Sequence, residues 1–255
     1  MEKNIEKERL KSMSLGDHLD ELRYRLIRII GGILLGLIVC LFFGKSLITF
    51  LMIPFAKALE SPDIIRQLQT IKPAEAFLVY IKVSLFFGLL ASSPWVFWHI
   101  WGFISSGLYK HERKFVYAVV PSSTILFLTG SIFFLVVIAP LALGFFFMLN
   151  EGLSVATGWT LQSYMDLVLG LTLVFGAAFQ LPIAIIFTER MGLVSIETMA
   201  KGRKFVILGL VIIAAMATPP DVISQVALAV PLYLLFESSI LICKFLRKRK
   251  NRMDG

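Results

Sequence analysis

Residues 167–188 read LVLGLTLVFGAAFQLPIAIIFT, a run without an acidic or basic side chain. As one helix this run would be about 33 Å long, enough to cross a hydrocarbon core of roughly 30 Å. A helix that is apolar on all faces has no side to turn toward water, so the run predicts a buried or membrane-spanning helix. The remainder of the chain decides between these two.

The composition of the whole chain favours lipid as its solvent. Of the 255 residues, 57% are hydrophobic and 16% are charged, whereas a soluble domain carries about 25% charged residues. The net charge of +8 would suit a nucleic-acid partner, but the charges lie in short stretches between apolar runs. That layout is typical of loops that flank membrane spans, so lipid and not nucleic acid is the expected environment.

Five further charge-poor runs accompany the first one. They cover residues 29–44, 83–109, 115–150, 205–220 and 222–243, with Glu237 as a single charge inside the last. The first becomes long enough to span when flanking residues join it, whereas the run at 205–220 is short, about 24 Å as a helix. The predicted fold class is an all-α integral membrane protein with six transmembrane helices.

Basic residues set the orientation of these helices. Most of the 25 Lys and Arg residues lie in four stretches, at residues 3–28, 110–114, 190–204 and 244–252. The positive-inside rule assigns such stretches to the cytoplasmic side of the membrane. The N-terminus and the C-terminus are therefore both expected in the cytoplasm, in agreement with an even number of spans.

The chain is expected to form a single transmembrane domain over residues 1–255. Its parts are a cytoplasmic amphipathic N-terminal segment at 1–26, the six-span bundle at 27–243, and a basic cytoplasmic tail at 244–255. Two long loops, at 45–75 and 139–164, face outward and contain apolar residues. Such loops are predicted to pack as short helices that form an outer cap.

No catalytic or metal-binding set is visible in the sequence. The two cysteines and three histidines lack metal-ligand spacing, and no zinc-protease, serine-hydrolase or phosphate-loop motif occurs. We therefore expect no enzyme activity and no cofactor. A small-solute transporter is the main rival, but it needs a polar pathway through the bundle, and polar residues within the spans are few.

Two acidic residues at the cytoplasmic edge permit two interpretations each. Glu21 lies on the polar side of the N-terminal amphipathic segment and either pairs with Arg25 on a solvated face or binds a ligand. Glu112 is a lone acid in a basic cluster and either forms a local ion pair or receives a cationic group of a partner. Composition alone favours the ion-pair interpretation of Glu21.

Two positions within or between the spans are also unusual. Gln180 lies mid-span, two residues before Pro182. Its amide bonds either inside the bundle or to a partner helix, and the two interpretations are equally supported. Thr218 and Asp221 bound a Thr-Pro-Pro-Asp turn, in which Asp221 could simply cap the next helix.

Six short segments, in order along the chain, resemble the TatC family, the multi-span subunit of the twin-arginine protein translocase. They are His18-Leu-Asp-Glu-Leu-Arg-Tyr-Arg-Leu26, Pro54, Trp101-Gly-Phe103, Leu108-Tyr-Lys-His-Glu-Arg113, Phe175-Gly176 through Pro182, and Thr218-Pro-Pro-Asp-Val-Ile-Ser-Gln225. Any one of these segments is weak alone, but together they are specific.

The resemblance implies a function and a shape. TatC proteins bind signal peptides that carry paired arginines on folded cargo proteins. They assemble with single-span subunits of the TatA and TatB type and with further copies of themselves, and the proton-motive force drives export. The family fold is a cupped bundle of six helices with both termini inside. The implied location is the cytoplasmic membrane of a prokaryote rather than an organellar membrane.

The resemblance also assigns roles to particular residues. Glu21 and Glu112 would receive the twin arginines, while Arg23 and Phe103 would shape that surface. The implied partner or structural contacts are Pro54 in the outer cap, Gln180, and Thr218 with Asp221 in the tight outer turn. Gln180 departs from the pattern, because many family members have glutamate there; a hydrogen-bonding role survives this change, but a role that needs negative charge does not.

Overall fold

The computed structural model describes residues 15–58, 68–106, 113–152, 158–217 and 222–253. These residues are helical apart from short turns and an isolated parallel bridge between Gln69 and Thr160. In chain order the helices are α1 (Leu15–Leu41), α2 (Gly44–Leu51), α3 (Ile53–Ala58), α4 (Glu75–Ser106), α5 (Arg113–Phe133), α6 (Ala139–Gly152), α7 (Leu161–Ala178), α8 (Leu181–Arg190), α9 (Ile196–Lys201), α10 (Arg203–Ala217) and α11 (Val222–Met253), and a π-helical turn (Phe134–Ile138) joins α5 to α6.

Four helical segments of the described chain are long and apolar enough to cross a membrane. They are His18–Leu41, Glu75–Ser106, Tyr117–Asn150 and Leu161–Arg190. The prediction of an all-α membrane protein is confirmed. The predicted fifth and sixth spans correspond to α10, which is 15 residues long, and α11, which is 32 residues long. Six spans and their orientation stay predictions.

The predicted amphipathic segment and the first span form one uninterrupted helix. α1 runs for 27 residues from Leu15 to Leu41. No proline interrupts this helix. Its polar first turns therefore continue without a break into the apolar turns of the first span. The polar residues before the span are therefore held rigidly on the span itself.

The chain divides into two compact units, each described by itself. The first contains residues 1–43 and 84–124, and the second contains residues 44–83 and 125–255. The predicted single domain over the whole chain stays a prediction.

In the first unit, α1 and α4 pack as an antiparallel pair. Gly36 lies against Gly88, and Gly32 lies against the Trp95 ring. A Cβ on Gly36 would lie 2.6 Å from the carbonyl oxygen of Gly88, so the two backbones meet where neither residue has a side chain. Small residues are used in this way by membrane helices, whose association depends on close packing.

Gly36→Ala is expected to lower the free energy of unfolding by about 1–3 kcal/mol, because the added methyl group meets backbone rather than a movable side chain. Gly31→Ala is the matched control, since a Cβ there meets nothing within 4 Å. The control should be neutral or stabilising by up to about 1 kcal/mol, from helix propensity. Unfolding in mixed micelles of detergent and SDS measures both; equal effects would refute the close contact.

The first unit also contains a buried polar link between α4 and α5. The indole N–H of Trp101 donates to Ser123 Oγ at 2.8 Å, and both residues are buried. A buried indole needs an acceptor, so this bond fixes the C-terminal end of α4 against α5. That end carries Gly102 and Phe103.

In the second unit, the π-helical turn lets the chain pass Pro140 without a break. A proline cannot donate to the carbonyl four residues earlier, and its ring clashes with that carbonyl. The Ala139 N–H bonds to the Phe134 carbonyl instead, five residues back. The helix therefore continues to Gly152, beyond the start of the loop predicted at residue 139.

Short helices form in the first of the predicted long loops, as expected, whereas the first part of the second loop continues the third candidate span. α2 and α3 lie within residues 45–75 apart from the first residue of α2, Gly44, and α6 lies within 139–164. Phe55 of α3 is buried and makes edge contacts with the rings of Phe147, Trp159 and Tyr164. Tyr164 donates its hydroxyl to the Leu51 carbonyl at 2.6 Å. These contacts bind the two loops to each other and to α7.

Glu75 joins the start of α4 to the start of α7. Its Oε2 accepts from the backbone N–H of Ile71 at 2.8 Å and of Lys72 at 3.3 Å, and its Oε1 accepts from the N–H of Gln162 at 2.9 Å. The Gln162 N–H is among the first of α7, which have no intrahelical acceptor and attract negative charge, while the Ile71 and Lys72 N–H groups belong to the turn before α4. A carboxylate that is 3% exposed therefore satisfies three backbone donors.

Glu237, the charge inside the last predicted span, is paired in the second unit. Its carboxylate accepts from Arg203 at 2.5 and 3.1 Å and from the Tyr233 hydroxyl at 2.9 Å. Arg203 begins α10, whereas Tyr233 and Glu237 lie one turn apart on α11. The acid thus links two helices, which explains its presence in an apolar run.

Candidate functional site

The candidate site lies at the seam between the polar start of α1 and the end of α4. Residues three and four apart share a helix face, and here one such face of each helix meets the other. The face of α1 presents His18, Glu21 and Arg25, and the face of α4 presents His99, Gly102 and Phe103. The antiparallel packing of the first unit brings these two ends together.

Glu21 and Arg25 form an asymmetric ion pair. Arg25 donates from Nε at 2.8 Å and from Nη2 at 2.6 Å, and both bonds go to Glu21 Oε1. The side chains are 17% and 23% exposed, respectively. Oε2 of Glu21 is buried and has no hydrogen-bond partner among the residues that the structure describes. The ion pair expected from the sequence is present, but it uses half of the carboxylate.

Arg25 also reaches α4. Its Nη1 lies 3.5 Å from the His99 carbonyl oxygen, and the guanidinium passes so close to Gly102 that a Cβ there would overlap Nη1. Gly102 therefore leaves the space in which the guanidinium lies. The sequence shows Gly102 only as the middle residue of a Trp-Gly-Phe segment, with no sign of its partner.

Phe103 is positioned beside the ion pair by His18. The two rings stack with centroids 4.4 Å apart and planes inclined by 22°, and both side chains are half-buried. His18 lies one helical turn before Glu21, so the ring pair is next to the carboxylate along α1. The structure thus brings together two of the predicted site residues, Glu21 and Phe103.

The other two predicted binding residues are not part of this contact set. Arg23 is exposed and lies about 200° around the helix from Glu21, so it belongs to another face of α1. Glu112 lies outside the described residues, immediately before the start of α5 at Arg113. Their roles stay predictions.

The remaining predicted positions belong to the second unit. Pro54 is buried at the second residue of α3, a position in the first turn where proline fits. Gln180 is half-buried at the break between α7 and α8, and its side chain makes no capping bond to α8. Its carbonyl accepts from the N–H groups of Ile183 and Ala184 at 3.0 Å each. Thr218 and Asp221 lie outside the described residues.

Four residues of the seam are absent from the sequence-based set: His18, Arg25, His99 and Gly102. The spacing of His18, Glu21 and Arg25 places them on one face, which is a readable signal. Gly102 carries no such signal, because its role depends on the register between α1 and α4. Among the described residues no cluster of His, Cys, Asp and Glu has the form of a metal site.

These features define a class: an all-helical, multi-pass membrane protein with a half-satisfied carboxylate at one end of its first two spans. The family profile described as "Sec-independent protein translocase protein (TatC)" matches residues 17–231. The chain belongs to the TatC family. It is thus a membrane protein of twin-arginine protein translocation, in a family of transport proteins rather than enzymes.

Several curated relatives are similar over nearly their whole length. The TatC protein of Rickettsia prowazekii is 37% identical over 240 residues, which are 93% of this chain and 95% of that protein. The Aquifex aeolicus protein is 35% identical, with coverages of 95% and 99%. The Escherichia coli K12 protein is 34% identical, with coverages of 93% and 91%.

A solved structure has the same fold. The chain is similar to a structure described as the crystal structure of the twin arginine translocase receptor TatC, with a TM-score of 0.77 and 35% identity. The match covers 89% of this chain and 98% of that one. The fold is therefore that of TatC.

Proposed function

We propose that this chain is the signal-peptide receptor subunit of a twin-arginine translocase. It binds the paired arginines of signal peptides on folded cargo, assembles with TatA-type and TatB-type single-span subunits and with further copies of itself, and exports cargo with the proton-motive force. Membership of the TatC family supports this role, as does the similarity to a structure described as a translocase receptor.

The observation that carries the proposal is Oε2 of Glu21, which has no hydrogen-bond donor among the described residues. A carboxylate accepts up to about four hydrogen bonds, and Glu21 uses two of these, both at Oε1. A guanidinium suits the unused oxygen, because a charge-assisted bond is stronger than a neutral one and a planar fork fixes the direction of approach. The net charge of the chain, +8, repels a cationic peptide, so attraction must be local.

Glu112 is the proposed receptor for the second arginine. The chain leaves α4 at Ser106 and enters α5 at Arg113, and a loop of that length spans at most about 20 Å. Phe103 lies one turn before the end of α4. This reach limits how far Glu112 can lie from Ser106 at the end of α4, and its contact with the peptide is part of the proposal. Arg23, on the exposed face of α1, is proposed to contact the peptide outside this seam.

The site is proposed to lie at the cytoplasmic surface of a prokaryotic cytoplasmic membrane. The stretches before α1 and after α4 are rich in Lys and Arg, and the positive-inside rule assigns both to the cytoplasm. Six spans, two of them formed by α10 and α11, then place both termini there. Signal peptides meet the translocase on that side.

The other predicted residues are proposed as structural or partner contacts. Pro54 is proposed to support the packing of α3, and Thr218 and Asp221, which lie between α10 and α11 along the chain, are proposed as partner or structural contacts. Gln180 stands at the break between α7 and α8, where a neutral amide can bond to a partner helix without the cost of a buried charge, roughly 2.5–3.5 kcal/mol.

A binding comparison tests the proposal. A peptide with paired arginines before an apolar stretch should bind the purified chain in detergent. Its twin-lysine version, equal in charge, should bind about tenfold more weakly, because lysine cannot form the planar fork. Equal affinities for the two peptides would contradict the proposed twin-arginine receptor.

A further inference from the structure

Arg25 donates hydrogen bonds to only one carboxylate oxygen of Glu21, Oε1. Both of its bonds to the carboxylate converge on Oε1, although a guanidinium fork normally pairs with both oxygens of a carboxylate. The fork is turned away from that pairing because Nη1 is directed to the His99 carbonyl and the guanidinium lies over Gly102.

This arrangement leaves a particular atom available. Oε2 of Glu21 is buried and without a donor among the described residues, so it is dehydrated but unpaired. An unpaired buried acceptor is unfavourable, and a donor that reaches it removes the penalty. Because Arg25 fixes Oε1, the direction of Oε2 is set before any ligand arrives, which lowers the ordering cost of binding.

We propose that Arg25 is a positioning residue for signal-peptide recognition. Its guanidinium, which lies in the space left by Gly102, holds Oε1 of Glu21 in place, so that Oε2 accepts the incoming arginine. This inference rests on the receptor function proposed above and names the atom that carries it. Arg25 stays in place when the ligand binds, and Glu21 is then bonded to two guanidiniums, one at each oxygen.

The proposed route to Oε2 is on the side of the ring pair formed by His18 and Phe103. His18 and Phe103 are half-buried and stack on each other one turn before Glu21. On the other side, Arg25 is held by three polar contacts. The rings are held by their stacking, so a ligand displaces them more readily than the ion pair.

If Arg25 instead competed with the peptide for Glu21, the effect of removing it would have the opposite sign. If Arg25 occupied Glu21 as a stand-in for the peptide, its removal would free the carboxylate, and affinity for the twin-arginine peptide would rise. If Arg25 positions Glu21, its removal lets the carboxylate turn, and the affinity falls.

The test uses Arg25→Lys in the full-length chain in detergent, with affinities measured for the twin-arginine and twin-lysine peptides. Lysine keeps the charge but cannot make two bonds to Oε1 and one to His99. We expect about tenfold weaker binding of the twin-arginine peptide and a smaller preference for arginine over lysine. Arg28→Lys is the control, since that exposed guanidinium lies over the Tyr24 ring and should leave both affinities unchanged.

Gly102→Ala provides a second variant that leaves every charge in place. The added methyl group displaces the Arg25 guanidinium, so affinity and preference should fall in the same direction. Gly31→Ala is its control, because a Cβ there meets open space. The thermal unfolding midpoint of each variant in detergent shows whether a lower affinity comes from the displaced Arg25 guanidinium or from loss of the fold.

A double-mutant cycle with Glu21→Ala completes the test. Without the carboxylate, Arg25→Lys should change the affinity by less than about twofold. Unchanged or tighter binding by Arg25→Lys, with Glu21→Ala still weak, would overturn the positioning role and leave the receptor function standing. Wild-type chain that does not distinguish the two peptides would instead refute the receptor function, and the positioning role with it.

Discussion

Glu21→Ala is expected to weaken binding of a twin-arginine peptide by about 10- to 100-fold, since a hydrogen bond to a charged group contributes roughly 1.5–3 kcal/mol. The substitution removes the acceptor for the peptide and also frees Arg25, whose charge then repels the ligand. Glu21→Lys should weaken binding further. Glu112→Ala is expected to act in the same direction. Fluorescence anisotropy of a labelled peptide measures each affinity.

Asp20→Ala is the matched control for this prediction. Asp20 is the neighbouring acid on α1 and is exposed, but it lies about 100° around the helix from Glu21. Its removal changes the net charge as Glu21→Ala does and should leave the affinity nearly unchanged. Similar losses in both variants would show that net charge, and not the seam, attracts the peptide.

Glu75→Ala is expected to lower the free energy of unfolding by about 3–5 kcal/mol, because three backbone N–H groups lose their acceptor together. Two of these donors precede α4 and the third lies at the start of α7, so the variant should separate the two helix starts. Unfolding in mixed micelles of detergent and SDS gives the free energy.

Glu75→Gln is the graded comparison. The amide keeps one acceptor oxygen and places an NH2 group where the other oxygen stood. About half of the loss is therefore expected. If the alanine and glutamine variants both have the free energy of unfolding of the wild type, the Glu75 carboxylate does not accept these three hydrogen bonds.

Much of the fold follows from the spacing of charges along the chain. The long apolar runs correspond to helices, because a backbone in lipid must satisfy its own hydrogen bonds. The short helices α2 and α3 of the first loop follow from the apolar residues within it. The π-helical turn before Pro140 was not predicted, since a proline in a sequence marks either a helix end or a local change of hydrogen bonding.

The candidate site was predictable only in part. Glu21 and Phe103 were found through a resemblance, and the structure brings them to one seam. The contact of the Arg25 guanidinium with Gly102 depends on the register of the antiparallel helices α1 and α4, and no local sequence pattern determines that register. Glu75 was missed for the same reason, because one of its donors lies 87 positions along the chain.

The central claim is that the seam beside Glu21 receives the arginine pair. Benzoyl-phenylalanine in place of Phe103 keeps an aromatic ring there and captures a bound peptide under light. The same residue in place of Leu35, which is 66% exposed on α1, is the control. We predict capture of a twin-arginine peptide at position 103 that is lost with the twin-lysine peptide and with Glu21→Ala, and no capture at position 35. Equal capture at positions 103 and 35, or equal capture of the twin-arginine and twin-lysine peptides at position 103, would contradict the account.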